Sequence, residues 1–414
     1  MIGAGVVGLA CASVLRQRGH DITLVDPVPP GEHCSFGNAG CFSRCSFLPI
    51  GLPGLWKKVP GYLLDPAGAL SIPPRHAMKL APWLWRLHRS TSVERVNAIA
   101  DALYPLVDST LEYWRPLAAW AGVPELVRQD GYAWIYESDA AFQGDAFGRE
   151  MRRKRGVKIE VLTDGAVREY EPTLSPSITH LVRFPEQGHS PNPLRLSQAL
   201  ATRLQSEGAL FVVDRAVDIE WRDARVTRVV LANGKIETDA IVVAAGAHSR
   251  SLAEKLGVRV LLETERGYHV TLARPSVMPH VPIMSAEGKF FATPMEMGLR
   301  VAGTVELAGL DAAPNYARAD PLLAGARRLF PGLEFESSTR WMGHRPSLPD
   351  SLPVIGRAPI VPNAFFAFGH GHVGLTAAAP TAALIGALID GETPPIDIRP
   401  YAPGRPAIRT RAAA

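Results

Sequence analysis

The sequence contains only four cysteines, Cys11, Cys34, Cys41 and Cys45, and none occurs in the long remainder of the 414-residue chain. A disulfide framework would distribute its cysteines along the chain, so this crowding predicts reduced thiols and a cytoplasmic protein. The four cysteines form no CxxC pair, and Cys34, Cys41 and Cys45 lack a fourth ligand for zinc or an iron–sulfur cluster. We therefore expect no metal site.

No long run of charge of one sign occurs either. Lys and Arg together number 44 and Asp and Glu 40, which gives a net charge of +4. This small excess is a weak attraction for anionic substrates or lipid surfaces, and it carries no nucleic-acid signature. Hydrophobic residues make up 47% of the chain and charged residues 20%, a balance typical of a folded globular protein.

The pattern of a signal peptide or a membrane-spanning helix is also missing. The chain opens on a glycine motif instead of a basic stretch followed by an apolar core. The segment 365–389 is apolar, but two histidines, four glycines and Pro380 interrupt it. Its first half is typical of a strand and a loop, so we expect no transmembrane helix there.

Hydrophobic periodicity supplies a coarse reading of the secondary structure. The chain is longer than a domain with a single hydrophobic core usually is, which predicts two domains. The Asn233-Gly234 pair predicts a tight hairpin turn. The predicted helices are 9–18, 93–121, 142–155, 193–206, 321–329 and 377–388. The predicted strands are 21–25, 132–137, 157–162, 180–184, 210–213, 217–221, 226–231, 236–243, 268–273, 283–285, 290–294, 299–305 and 364–368.

A glycine motif stands between the first strand and the first helix. Gly3, Gly5 and Gly8 give GxGxxG, in which the first glycine makes the turn and the second lets the backbone approach a pyrophosphate. The third lets the helix pack on the strand, and the helix N-terminus offers N–H groups to the phosphates. Asp26 ends the second strand, where a carboxylate accepts hydrogen bonds from ribose hydroxyls. The sequence therefore predicts a dinucleotide site.

NAD and FAD share this motif, and two later segments favour FAD. Residues 241–249 form an apolar strand that runs into a turn of small residues, which either lies close to a cofactor or is an ordinary strand end. Residues 369–376 place several glycines before the last helix, where backbone N–H groups stabilise negative charge on a reduced flavin. The alternative is a sharp turn without a ligand.

Taken together in this order, the motifs resemble the D-amino-acid dehydrogenase branch of the glycine oxidase/D-amino-acid oxidase family of flavoproteins. They extend from end to end of the chain. They are GAGVVGLA at 3–10, SFGNAG at 35–40, AAGA at 244–247, WMGHRP at 341–346, PD at 349–350, PVIG at 353–356 and GHGHVG at 369–374.

The resemblance implies an α/β fold in which a Rossmann-type FAD-binding domain is interleaved with an α+β substrate domain built on a mostly antiparallel sheet. We expect the FAD-binding domain to comprise residues 1–45, 190–255 and 340–414, and the substrate domain residues 46–189 and 256–339. FAD is expected to bind without a covalent bond, because the 35–40 motif has no histidine and the C-terminal region has no cysteine.

The glycine motif and the resemblance together give a predicted set of FAD-binding residues. Val217 is expected to meet the adenine through its backbone, and 371–376 the isoalloxazine. The set is Gly3, Gly5, Val6, Val7, Gly8, Asp26, Ser35, Asn38, Ala39, Gly40, Val217, Ala245, Gly246, Arg345, Gly371, His372, Val373, Gly374, Leu375 and Thr376.

Four residues are predicted to act on the substrate. Arg345, before an expected sharp turn at Pro346, suits a fixed guanidinium that binds the substrate carboxylate, although a structural salt bridge is the alternative. Tyr268 and His269 alternate along a strand, so at most one points at the flavin. Tyr268 is expected to bind the carboxylate and His269 to tune amine protonation, unless His269 is only hydrogen-bonded. His372 completes the set.

The resemblance implies oxidative deamination of a small D-amino acid, by hydride transfer from the α-carbon to flavin N5. The product is an imino acid that water hydrolyses to a keto acid. Three alternatives stay open: oxidation of a secondary amine such as sarcosine, D-proline or hydroxyproline, a non-catalytic FAD-bound subunit of a larger complex, and an NAD-dependent dehydrogenase.

The electron acceptor is expected to be oxygen or a quinone of the respiratory chain. One aromatic and basic stretch bears on that choice. It contains Trp56, Lys57, Lys58, Trp83, Trp85, Arg86 and Arg89. It either lies on the inner face of the cell membrane, as a peripheral contact, or forms a helical subdomain that covers the active site.

Overall fold

The computed structural model describes residues 1–65, 68–405 and 408–410. Its α-helices are α1 (Val6–Gln17), α2 (Leu55–Leu64), α3 (Pro74–Arg89), α4 (Val93–Asp108), α5 (Thr110–Trp120), α6 (Asp139–Gly144), α7 (Ala146–Lys154), α8 (Gly165–Tyr170), α9 (Pro193–Ser206), α10 (Ser249–Lys255), α11 (Asp320–Leu329) and α12 (Gly374–Asp390).

The strands follow the chain in the same way. They are β1 (Thr23–Asp26), β2 (Cys41–Phe42), β3 (Leu70–Ser71), β4 (Tyr132–Tyr136), β5 (Glu160–Thr163), β6 (His180–Phe184), β7 (Gly188–His189), β8 (Leu210–Val213), β9 (Ala216–Arg222), β10 (Arg225–Leu231), β11 (Gly234–Glu237), β12 (Ile241–Val243), β13 (Val258–Arg259), β14 (Glu263–Ala273), β15 (Ile283–Ser285), β16 (Phe290–Met295), β17 (Gly298–Glu306), β18 (Ser337–Ser347), β19 (Val354–Arg357), β20 (Ala364–Phe368) and β21 (Arg409–Thr410).

The first sheet is parallel at its centre. Strands β1 and β8 pair in parallel, as do β12 and β20, and Ile2 bridges Val25 of β1 to Val243 of β12. β19 adds an antiparallel edge to β20. The residues of β12 and β20 are all buried, as expected of parallel strands covered on both faces. This confirms the predicted α/β class, with α1 against α12 on one side of the sheet.

The second sheet is mostly antiparallel, as predicted. Its strands follow the order β18-β14-β17-β16-β15-β4-β6-β5, with β3 beside β17. The neighbouring pairs are antiparallel except β15 with β4 and β3 with β17. The predicted hairpin at Asn233-Gly234 joins β10 to β11 with Leu231 opposite Gly234, apart from this sheet. The domain boundaries given above stay a prediction.

Three predicted elements are corrected. The sharp turn expected at Pro346 is part of β18, where Pro346 lies opposite Thr264. Proline is tolerated there because β18 is an edge strand, whose outer N–H groups have no ladder partner. The single helix predicted over 93–121 is broken at Ser109, between α4 and α5. The strand predicted over 236–243 is two strands, β11 and β12.

The apolar segment near the C-terminus forms α12 and the short turn before it. The span Gly371–Asp390 is long and apolar enough to cross a membrane by length and composition, and 72% of its most apolar window is buried inside the protein. It packs against α1, α4 and α5, with Pro380 inside the helix. These contacts are those of a core helix.

Gly8 sets how closely α1 approaches the first sheet, and its replacement tests that contact. A Cβ atom at this position would lie 2.0 Å from the carbonyl oxygen of Gly3. We therefore expect Gly8→Ala to lower the free energy of unfolding by about 1–3 kcal/mol or more, since backbone must move. The measurement is a urea unfolding curve. Gly61→Ala is the control, because Gly61 lies in exposed α2 with no heavy atom within 4 Å. Equal midpoints for the two variants would contradict this account.

Candidate active site

A cavity of about 1070 Å³ lies where the two sheets face each other. Its wall includes the turn before α1, the end of β1 and the segment before α12 from the first sheet. Residues of β14, β17 and β18 supply the opposite wall. The volume is at the upper end of the roughly 300–1,000 Å³ typical of small-molecule sites, so the cavity suits a large ligand.

The glycine motif and Asp26 form one end of this cavity. Gly3, Gly5, Val6 and Val7 lie on the wall with Asp26. The carboxylate of Asp26 accepts hydrogen bonds from the backbone N–H groups of Ala4, at 2.8 Å, and of Val28, at 3.1 Å. These bonds fix it at the end of β1. Gly8 is absent from the wall, which agrees with its packing role.

The loop 35–40 follows and continues the wall. Ser35, Asn38 and Ala39 lie on the cavity, and the Ser35 hydroxyl accepts the N–H of Val6 at 2.8 Å. Gly40 does not line the cavity. It has a φ of 80°, and a Cβ there would lie 2.5 Å from the carbonyl oxygen of Ser190, so it serves the turn.

Arg300 of β17 holds this loop from the opposite sheet. Its Nη1 donates to the carbonyl oxygens of Phe36 and Asn38, both at 2.8 Å. The side chain is buried, and burial lowers the pKa of Arg300 to about 10. The group therefore stays charged at neutral pH. Arg300 could not be identified from the sequence. The alternation of side chains along β17 does not indicate that one of them reaches the loop 35–40.

His269 braces the same loop instead of facing the substrate. Its Nδ1–H donates to the carbonyl oxygen of Gly37 at 3.2 Å, and its ring stacks on Trp341 at 5.0 Å. It is buried and absent from the cavity wall. Burial, and then Arg300, lowers the pKa of His269 to about 3, so the ring is neutral. The predicted catalytic role of His269 is corrected to a positioning role.

The remaining cofactor predictions divide in two groups. Residues on the wall are Ala245, Gly246, Gly371, His372, Val373, Gly374, Leu375 and Thr376. The Thr376 hydroxyl donates to the carbonyl oxygen of Cys41 and accepts the N–H of Ser43, both at 3.1 Å, which ties α12 to β2 and the residue that follows it. Val217 is not on the wall and is 47% exposed, whereas Arg215 and Ala216 do line the cavity. The backbone contact of Val217 with the adenine stays a prediction.

Arg345 lies on the cavity wall. Its Nη1 donates to the carbonyl oxygen of Thr304 at 2.9 Å and its Nη2 to that of Gly303 at 3.4 Å. In the described part of the chain it forms no ion pair with a carboxylate, so the salt-bridge alternative is not what the structure contains. The guanidinium passes over Gly267, where a Cβ would lie 2.2 Å from its carbon. Two carbonyls fix its direction and leave its charge unpaired.

Tyr268 does not fit its predicted role as a carboxylate ligand. Although the residue borders the cavity, its hydroxyl donates to Glu306 at 2.6 Å and accepts the N–H of Asn315 at 3.0 Å. Arg266 joins Glu306 on the same face of β14, at 3.2 Å. Burial, and then the bond to Glu306, raises the pKa of Tyr268 to about 12. The predicted role of Tyr268 is therefore corrected. Tyr268 belongs to a buried hydrogen-bond network with Glu306 and Arg266 beneath residues 307–316.

Glu265 is a wall residue that sequence reasoning missed. It lies on β14 directly opposite Arg345 of β18, and it is 5% exposed. Its Oε1 accepts the hydroxyl of Ser347 at 2.6 Å. The acidic residues Glu263 and Glu265 stand at alternate positions, a signal that could have placed Glu265 on a strand, since β14 begins at Glu263 and not at Tyr268.

His372 lies on the wall within range of both charges. Burial, and then the positive charge of Arg345, lowers the pKa of His372, while the charge of Glu265 acts in the opposite direction. Apolar side chains also line the cavity, which they share with Lys289 and the hydroxyl groups of Ser43 and Ser46. The apolar side chains are those of Ile50, Met284, Phe291, Ala302, Val305 and Leu310.

The residues present fit a dinucleotide cofactor. The close packing of Gly3 against Ala244, where a Cβ would lie 2.5 Å from the carbonyl oxygen, leaves the turn no room for a side chain. The N-terminus of α1 therefore opens on the cavity, with Asp26 fixed beside it. In the residues that the structure describes, no group of three or more His, Cys, Asp or Glu side chains is arranged to hold a metal ion.

Known proteins are similar to this chain over nearly its whole length. The profile of the DAO family, described as FAD dependent oxidoreductase, matches residues 1–388. The D-amino-acid oxidase of Bradyrhizobium diazoefficiens is 40% identical over 412 residues, 98% of each chain. The D-amino acid dehydrogenase of Rhizobium johnstonii is 30% identical over 413 residues, 97% of this chain and 98% of that one. The crystal structure of glycine oxidase from Geobacillus kaustophilus has a TM-score of 0.77 at 20% identity, covers 98% of this chain and 97% of its own, and shows the fold alone.

The tie between Arg300 and the loop 35–40 can be tested with Arg300→Met. Methionine leaves the carbonyl oxygens of Phe36 and Asn38 without their donor, which costs about 1–3 kcal/mol for each buried group. We expect the dissociation constant for FAD, measured by flavin fluorescence, to rise at least tenfold.

Arg340→Met is the matched control for this experiment. Arg340 lies on β18 and pairs with Asp320 at the surface, where an ion pair contributes about 0–1 kcal/mol. Its FAD affinity should equal that of the wild type. An Arg300 variant that retains FAD as tightly as the Arg340 variant would contradict the assigned role.

Proposed function

The chain belongs to the DAO family of FAD-dependent oxidoreductases, and we propose that it oxidatively deaminates a small D-amino acid. The observation that carries this proposal is the position of Arg345 on the same cavity as residues 371–376. Two backbone carbonyls fix its guanidinium, and no carboxylate among the described residues pairs with it. The D configuration is supported by the relatives named D-amino-acid oxidase and D-amino acid dehydrogenase.

The residues divide the work between holding the cofactor and holding the substrate. The turn before α1, Asp26, the loop 35–40 and residues 371–376 would hold FAD. FAD, when bound, supplies the hydride acceptor for the substrate α-carbon. Arg345 would bind the substrate carboxylate through charge-assisted hydrogen bonds, and this anchor limits how the α-carbon is oriented.

The side-chain end of the substrate would meet an apolar wall. The apolar side chains of Met284, Phe291, Val305 and Leu310 line the same cavity as Arg345. Such a surface favours small neutral side chains over charged ones, because a buried charge without a partner is costly. His372, held largely neutral by burial, can accept a hydrogen bond from an amine. The product imino acid would leave and hydrolyse to a keto acid and ammonia.

The decisive experiment is an anaerobic absorbance titration of the FAD-loaded protein. We expect D-alanine and other small D-amino acids to bleach the flavin band, and L-amino acids to leave it unchanged. Bleaching by sarcosine or D-proline alone would replace this substrate class by secondary amines. Absence of bleaching by every amine would overturn the proposal and leave a cofactor-binding subunit.

Arg345→Lys tests the carboxylate anchor in a steady-state assay with an added electron acceptor. Lysine keeps the charge and loses the bidentate fork, so we expect KM for the D-amino acid to rise at least tenfold with FAD retained. Arg340→Lys on the same strand is the control and should match the wild type, since Arg340 lies at the surface. Equal KM values in the two variants would remove Arg345 from the substrate site.

We also propose a peripheral contact with the inner face of the cell membrane, where a quinone would accept the electrons. Its support is the exposed surface of α2 and α3. Leu64 is 82% exposed, Met78 87% and Trp85 62%, whereas Trp83 is buried. Basic residues surround them: Lys57, Lys58, Arg75, Lys79, Arg86 and Arg89. Apolar side chains flanked by cations suit an anionic bilayer surface.

Sedimentation with vesicles of 30% anionic lipid tests this contact. We expect the double variant Met78→Glu with Trp85→Glu to lose at least tenfold in vesicle binding, and high salt to weaken the wild type. Trp221→Glu is the control, because Trp221 is an exposed tryptophan of β9, far along the chain from α3. Binding that the two helix substitutions leave unchanged would contradict the proposal.

A further inference from the structure

The cavity wall carries an acidic side chain that the binding of the cofactor and of the substrate carboxylate leaves unused. We propose that Glu265 binds the α-ammonium group of the substrate, so that the amino acid is held as a zwitterion between Glu265 and Arg345. This inference rests on the proposed function, since it assigns the second half of the same site.

The sheet places the two charges side by side. Glu265 of β14 and Arg345 of β18 are direct partners in the antiparallel register. Such partners project from the same face of the sheet, with Cβ atoms about 4.5–5.5 Å apart. Both residues line the cavity. A carboxylate and a guanidinium are therefore presented together to whatever lies over this face.

Glu265 and Arg345 do not form an ion pair with each other in the described part of the chain. Arg345 turns over Gly267 toward the carbonyl oxygens of Gly303 and Thr304. Glu265 accepts the hydroxyl of Ser347 through Oε1. No described residue donates to its Oε2. A carboxylate that is 5% exposed and forms no ion pair with a described residue is costly to bury, which points to a cationic ligand group.

An α-amino acid whose carboxylate is bound by Arg345 would place its α-ammonium group next to Glu265. Its ammonium and carboxylate are attached to the same carbon, so their spacing matches neighbouring residues on adjacent strands. A basic side chain would lie several bonds farther from the carboxylate held by Arg345. The apolar surroundings of Met284, Phe291 and Leu310 also offer such a side chain no second partner. We therefore assign Glu265 to the α-ammonium group.

Glu265→Gln separates this role from a merely structural one. Glutamine keeps the shape, and its carbonyl oxygen can still accept the Ser347 hydroxyl. The probes are D-alanine, a zwitterion, and propionate, which has the carboxylate without the amine. We expect the KM for D-alanine to rise at least tenfold. The dissociation constant for propionate, from the shift of the flavin spectrum, should stay the same or fall, because a nearby negative charge is removed.

Glu263→Gln is the matched control. Glu263 lies two residues earlier on β14, pairs with His76 at 3.0 Å and does not line the cavity. Both ligands should bind this variant as they bind the wild type.

The other outcomes are distinct. Parallel weakening of D-alanine and propionate in Glu265→Gln would overturn the inference, as would loss of basic D-amino acids alone. If no D-amino acid reduces the wild-type flavin, the proposed function fails first, whatever the variant does.

Discussion

The guanidinium of Arg300 crosses from the second sheet to the loop 35–40, and the geometry of the cavity depends on that crossing. The loop is fixed at its other end by the Ser35 hydroxyl, which accepts the N–H of Val6 at the start of α1. Arg300 holds the carbonyls of Phe36 and Asn38 from β17. The dinucleotide turn and the wall that bears Arg345 are thus connected through one short segment. A shift of either sheet would break bonds to a buried cation, which is a strong restraint on their relative position.

Buried histidines near this segment and elsewhere along the cavity are held in the neutral form. His269 lies between the Gly37 carbonyl and the Trp341 ring, and its pKa of about 3 keeps it uncharged. Burial likewise lowers the pKa of His344 to about 4 and that of His370 to about 3. Arg345 and Glu265 place opposite charges on adjacent strands of this wall, and both act on the pKa of His372.

The sequence was sufficient for features that local chemistry decides. The GxGxxG turn, Asp26 at the strand end, the Asn233-Gly234 hairpin and α9 over 193–206 follow from glycine conformation, capping and periodicity. The sequence was insufficient where the register between distant strands decides which side chains become neighbours. Polar residues in Ser337–Arg340 and a proline concealed β18, so the position of Glu265 beside Arg345 could not be deduced. The predicted substrate roles of Tyr268 and His269 were wrong for the same reason. Alternation shows that the two side chains face opposite ways, but it does not show that each is already hydrogen-bonded within the protein.

Three glycines of the wall set a limit on how this site can be redesigned. A Cβ at position 37 or 343 would lie within about 2 Å of the Trp341 ring, and one at position 267 would meet the Arg345 guanidinium. In a mutagenesis library aimed at bulkier substrates, these backbone positions have to stay constant. Diversity belongs instead at Met284, Phe291 and Leu310, whose side chains border the cavity without supporting either charge.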